Sequence, residues 1–314
     1  MHDLYFSGGG TIKTLALYTT IYPGVEKFLG DWYHSLLEQT DQDYQLWVGL
    51  DTLEADAVME AMGGNLKAVW VSAATGDTPA QIRQRAFALI VEEYDGVVLV
   101  DSDDVLHPSR VAAARSALQE SDLAGCALRL VDQKGRDMGL NFNLPPQTNP
   151  QDVFPRNNVF GLSNSAFRSD LLRKCLPIPA CAALVDWFLS TKAWLYGAGM
   201  VFDEAVRMDY RQHSANMALV RPPFSGEQVI SDCERVRHHF QIILNSPVAE
   251  CIPERLEKVE RVAADVELFY QKIVLQPEML FSYVKSLNKL NLAPVWWSCV
   301  AHPLLSNMWS STRR

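Results

Sequence analysis

The chain reads as an α/β fold, a mostly parallel sheet flanked by helices, and three features of its sequence point there. Short apolar segments alternate with amphipathic helical ones along the first hundred residues. One of them, Val97-Val98-Leu99-Val100, runs straight into three carboxylates, Asp101, Asp103 and Asp104. After Pro222-Pro223 the alternation gives way to helical periodicity, as in Leu256, Val259, Val262, Val266, Phe269 and Ile273. An α/β domain is therefore expected over residues 1–220 and a helical extension over 221–314.

The elements follow in order. Leu15 to Tyr18 predicts a first strand, and Val25, Phe28, Leu29, Trp32, Tyr33 and Leu36 recur at helical spacing after it. Tyr44 to Leu50 reads as a strand ending in Asp51, Asp56 to Met62 as a helix closed by Gly63-Gly64, and Lys67 to Val71 as a third strand. A polar loop leads to a helix over Gln81–Glu93, and 97–100 is the fourth strand. Such alternation implies right-handed crossovers between parallel strands. Further on, helices are expected at 108–120, 169–174 and 186–196, with extended chain near 124–130 and 200–210. The stretch 141–156 is polar and Pro-rich.

Composition narrows the chemistry. With 48% hydrophobic and 21% charged residues the chain is globular, and a net charge of −9 argues against a nucleic-acid partner. The six cysteines include no Cys-x-x-Cys pair, so reduced thiols are expected rather than a zinc site or disulfide scaffold. Neither a signal peptide nor a spanning segment is expected, and Gly8-Gly9-Gly10 lacks the Gly-Lys-Ser/Thr of a phosphate loop.

The acidic turn is the chemical centre of the sequence. Ligands of open α/β sheets sit beyond the carboxyl ends of the strands. Three carboxylates crowded into one turn repel one another, and a hard cation with oxygen ligands relieves that repulsion. Acidic turns also serve as ordinary loop and capping residues. The surrounding motifs decide between the two.

Five features fall in an informative order. Asp51 ends the second strand, Arg85 lies sixteen residues before Asp101 (101 − 85), Asp101-Ser102-Asp103-Asp104 ends the fourth strand, Asp186-Trp187 opens a helix, and Tyr210-Arg211-Gln212-His213 ends a late strand. Over residues 12–220 this resembles the family-2 glycosyltransferases of the GT-A fold, whose nucleotide-binding half is Rossmann-like. The sequence departs from the family's pattern at Ala86, where an Asn follows the Arg, and at Val185, where a Glu precedes the Asp.

The resemblance implies a set of roles. Asp103 and Asp101 would hold Mn2+ or Mg2+, with His213 as a further ligand. Asp51, Arg85, Asp101 and Arg211 would bind a nucleoside-diphosphate sugar, and Asp186 would be the general base. The acceptor would be a glycan or a lipid-linked molecule, the anomeric centre would invert, and the setting would be cytoplasmic assembly of bacterial surface polysaccharide. Trp296-Trp297, Trp309 and the terminal arginines offer either core packing or peripheral membrane contact. Asn157-Asn158 and Ser163-Asn164 stay without a role. Two alternatives stand beside this reading. One is a haloacid-dehalogenase-type phosphatase using Asp101 and Asp103, whose motif belongs on the first strand. The other is a relative that binds a sugar nucleotide without turnover.

Overall fold

Among the described residues a nine-stranded sheet runs through the molecule, and its order explains where the acidic turn ends up. The computed structural model describes residues 10–310 apart from 146, 214–215, 217–219, 221, 248–249, 291 and 293–294, so Gly8-Gly9 and Arg313-Arg314 lie outside the described residues. Four strands, β1 (Leu15–Ile21), β2 (Gln45–Leu50), β3 (Ala68–Ser72) and β4 (Gly96–Leu99), pair in parallel in the order β3-β2-β1-β4. Every residue of β1 and β4 is buried, as expected of parallel strands covered on both faces. Between them lie α1 (Leu29–Leu37), preceded by a 3-10 turn at Glu26–Phe28, then α2 (Ala55–Met62) and α3 (Pro79–Glu93). α3 opens on a capping box: the Thr78 hydroxyl accepts from Gln81 N–H, the Gln81 side chain accepts from Thr78 N–H, and Pro79 occupies the first turn.

Beyond β4 the sheet becomes mixed. β5 (Val105–Leu106) and α4 (Arg110–Ala117) precede β6 (Leu123–Asp132) and β7 (Asp137–Phe142); a short α5 (Pro150–Val153) then leads to β8 (Ser165–Arg168) and α6 (Ser169–Cys175). β8 inserts antiparallel between β4 and β6, while β9 (Met200–Gln212), which follows α7 (Val185–Leu195), runs parallel to β6. The expected helix at 108–120 is shorter, and β5 and β8 are too short for their periodicity to be read from sequence. β7, whose Met138, Leu140 and Phe142 alternate with polar or small residues, runs into the polar stretch that begins at 141.

The last third is helical: α8 (Gly226–Asn245), α9 (Pro253–Phe269) continuing into a π turn at Tyr270–Val274, and α10 (Pro277–Leu287). These helices share one contiguous apolar core with the sheet, which joins Val229, Phe240, Val259 and Phe269 to Trp187, Leu195 and Phe160. Burying each such large side chain stabilises by about 1.5–3 kcal/mol. The segment after α10 turns back toward the sheet. Trp296 forms an antiparallel bridge with Asn158, and the Arg156 guanidinium donates to Ala301 O at 3.0 Å. Among the described residues no helix is long and apolar enough to cross a membrane.

Candidate active site

The carboxyl ends of β1, β2 and β4 open into a cavity of about 780 Å³. Thr20, Tyr22 and Pro23 reach it from the end of β1, Asp51 from β2, and Asp101 and Asp103 from β4. Thr78, Ala80 and Arg83 line it from the start of α3, and Asp186 from the first turn of α7. Four of the lining residues are carboxylates and one, Arg83, is a cation, among the described residues.

The acidic turn is held in place from beneath. Ser102 donates its hydroxyl to Thr20 O at 2.8 Å, which pins the turn to the end of β1. Asp104 lies behind the cavity and is only 1% exposed; one carboxyl oxygen accepts Arg211 N–H at 2.7 Å, the other the Ser163 hydroxyl. That hydroxyl also lies 2.9 Å from Asp101 Oδ2. Asp103 Oδ2 receives the His213 ring nitrogen at 2.8 Å and Tyr22 Oη at 3.3 Å.

Ligand oxygens from Asp101, Asp103 and Asp104 all come within 4.8 Å of one another. Burial, and then the Asp103 charge, raise Asp101 to about 7, and the same causes hold Asp104 well above the ordinary carboxylate range. Three close-set carboxyls, two of them buried and none in a lysine or arginine ion pair among the described residues, form a donor set suited to a hard divalent cation. The residues fit such a cation, with Asp101 and Asp103 facing the cavity.

Asp186 lines the same cavity from the first turn of α7, near enough for its charge to act on Asp101. Burial raises its carboxyl to about 6. The Trp187 backbone N–H, the Arg83 charge and the Asn158 amide at 2.9 Å all act against that rise. A carboxyl with its pKa near 6, at the N-terminus of a helix and open to a cavity, has the properties of a general base at neutral pH.

The cavity brings together Asp51, Asp101, Asp103 and Asp186, but neither Arg85 nor Arg211. Arg85 pairs with Asp77 at 2.6 Å and donates to Ser72 O at 2.8 Å, holding the loop between β3 and α3. Arg83 faces the cavity instead, because two residues along a helix rotate a side chain by about 200°. Arg211, 2% exposed, is a strut: it donates to Asp103 O at 2.8 Å, to Gln133 O at 3.2 Å and to Asp31 at 2.8 Å, with its guanidinium 4.7 Å above the Phe28 ring. His213 leans on the same ring at 5.1 Å and reaches the site through Asp103.

Sequence reasoning also missed the aromatic wall. Trp296 and Trp297 line the cavity and are otherwise buried, so the interfacial alternative for this pair gives way to packing. Trp296 sits over Gly161, where a Cβ would come within 2.5 Å of its ring. Trp297 adopts φ 65°, a region non-glycine residues seldom occupy, with its ring 6.2 Å from and nearly parallel to that of Trp187. Trp187 stacks in turn on His239 at 4.3 Å, and burial lowers that histidine to about 3, so it is neutral.

No protein-family model matches the sequence, and neither does any curated protein sequence. Solved structures do match. The 1–349 fragment of Staphylococcus aureus TarS superposes with a TM-score of 0.55 at 16% identity, over 82% of this chain and 72% of that one. The same fragment in complex with UDP-GlcNAc gives 0.51 at 17% identity, over 82% and 72%. The mannosyltransferase PcManGT from Pyrobaculum calidifontis, in complex with GDP-Man and Mn2+, gives 0.54 at 14% identity, over 93% of this chain and 78% of that one. The chain shares its fold with these solved structures, among them a mannosyltransferase. At these identities the likeness is one of architecture, and the chemistry must be argued from the cavity.

Proposed function

We propose that the chain is a metal-dependent, inverting glycosyltransferase that moves a sugar from a nucleoside-diphosphate donor to a hydroxyl of a glycan or lipid-linked acceptor. The observation that carries this reading is one cavity lined by two acidic elements from different parts of the chain: the Asp101/Asp103 pair at the end of β4 and Asp186 on α7. Asp101 and Asp103 would hold Mn2+ or Mg2+, which neutralises charge on the leaving diphosphate. Arg83 adds a positive charge that acts on both Asp101 and Asp186, and Asp51, with Tyr22 beside the acidic turn, would bound the end of the cavity suited to the nucleoside. Asp186 accepts the proton of the attacking hydroxyl, and attack opposite the leaving group inverts the anomeric centre. Residues to about 220 would bind the donor, and the returning C-terminal segment would bound the acceptor side through Trp296 and Trp297.

The mannosyltransferase neighbour with bound GDP-Man and Mn2+ and the TarS fragment with bound UDP-GlcNAc support the class of donor. The phosphatase alternative needs its acidic motif on the first strand, whereas here the motif follows β4. This reading goes with a cytoplasmic setting, where nucleotide sugars are made, and with surface-polysaccharide assembly.

Thermal-shift titration with UDP, GDP and ADP, with and without Mn2+, tests it. One nucleotide should stabilise the protein in a metal-dependent manner. Asp103→Ala should abolish that stabilisation, and Asp186→Asn should keep it while stopping sugar transfer. Turnover of a phosphomonoester, or equal loss of binding in both variants, would refute the assigned roles. Metal-dependent binding of the nucleotide sugar with no turnover would favour a binding protein.

A further inference from the structure

The donor chemistry leaves Asn158 unexplained. It is fully buried, and its hydrogen bonds determine which way its amide points. Phe160 N–H can only donate and lies 3.0 Å from Oδ1, which also accepts from the Ser190 hydroxyl at 3.1 Å. The nitrogen must therefore face the other way, where it donates to Asp186 Oδ2 at 2.9 Å and to Phe160 O at 3.0 Å. Two donors and two acceptor sites are all engaged, so the amide can neither flip nor rotate without breaking several bonds at a buried site.

The loop that carries Asn158 is anchored at its far end as well. Asn164 accepts Gly161 N–H at 2.7 Å and donates to Cys126 O at 2.7 Å and Val159 O at 3.1 Å. Between the two asparagines, Ser163 holds Asp101 and Asp104. One short loop thus touches both acidic elements of the cavity. The residue before Asp186 is Val185, so no carboxylate precedes it to share this task.

We propose that Asn158 is a positioning residue: by holding Oδ2 it fixes the rotation of the Asp186 carboxylate, and with it the direction in which the base meets the acceptor hydroxyl. The loop 158–164 thereby holds the base in a set relation to the Asp101/Asp103 pair. The proposal rests on the reading of Asp186 as the base. The other groups that act on Asp186 are Arg83 from α3, Asp101 in the same cavity, and the backbone N–H groups of Trp187 and of Asp186 itself.

The test reads Asp186 directly. In protein labelled with 13C at aspartate carboxyls, the Asp186 signal is assigned by its loss in Asp186→Asn and titrated in the wild type, Asn158→Ala and Ser190→Ala. Losing a donor to the charged form should raise the Asp186 midpoint by about half a unit or more in Asn158→Ala, and by less, in the same direction, in Ser190→Ala. With UDP-GlcNAc and GDP-mannose as probe donors and Mn2+ present, nucleoside-diphosphate release by Asn158→Ala should fall at least about tenfold in kcat with KM for donor unchanged. Should Asn158→Ala fail to fold, Ser190→Ala decides. An unmoved Asp186 midpoint with wild-type kcat overturns the role of Asn158 alone. Turnover that survives in Asp186→Asn overturns the assignment of the base.

Discussion

Replacing Asp186 with asparagine should make the protein more stable at neutral pH while silencing it. Burial raises this carboxyl from 3.8 to about 6, so ionising it costs more in the folded chain than in the unfolded one. Each unit of difference corresponds to about 1.4 kcal/mol, which sets a ceiling of about 3 kcal/mol. The amide removes that cost but turns one acceptor into a donor near the Trp187 N–H, which costs back about 1 kcal/mol. The net gain is about 1–2 kcal/mol near pH 7.5, or about 2–4 °C in Tm. The sign follows from the folded pKa being the higher one: the destabilisation is fully present above about 6 and absent below about 4. Urea denaturation of both proteins at pH 7.5 and pH 4 should therefore show the variant's advantage vanish or reverse at the lower pH. A variant less stable at pH 7.5, or an advantage of equal size at both pH values, would refute the argument that Asp186 is desolvated in the fold.

The same carboxyl predicts an acid limb in catalysis: its ionised fraction rises from about a tenth at pH 5 to about nine tenths at pH 7, so kcat should climb roughly ninefold between them, and a flat profile contradicts the base. Arg83→Ala should weaken nucleotide binding about tenfold, whereas Arg85→Ala, whose side chain is 40% exposed and paired with Asp77, should change it less than about twofold by calorimetry. Gly161→Ala would force a methyl group to 2.5 Å from the Trp296 ring, and should destabilise by about 1–3 kcal/mol in chemical denaturation while impairing turnover.

What could be read from sequence was local, and what could not depended on where distant segments meet. The strands β1 to β4 declare themselves as apolar runs between turns, and the acidic turn lies where such a run must end. Asp186 was legible from its place at a helix start within an ordered set of motifs. β8 was not, because its four residues are defined by pairing Gly96 with Arg168 and Leu123 with Phe167, partners far apart in sequence. Arg83 was legible in principle: it lies three and four residues before the buried Ala86 and Phe87, whereas Arg85 precedes the exposed Leu89 by four. Choosing between them needed the phase of α3 against the sheet. Arg211 fits a phosphate ligand on composition alone; only the fold shows its guanidinium beneath the acidic turn, holding Asp103 O. The aromatic wall gave no signal at all, because Trp296 reaches Gly161 only through the path taken by three helices.

Crystals soaked with Mn2+ and UDP or GDP test the central claim most directly, through anomalous scattering at the manganese edge. The account predicts a peak at bonding distance from the carboxylates of Asp101 and Asp103, with the diphosphate on its cavity side and Arg83 nearby. Nucleotide bound in the cavity without a peak at that turn, or manganese seated elsewhere, would contradict it.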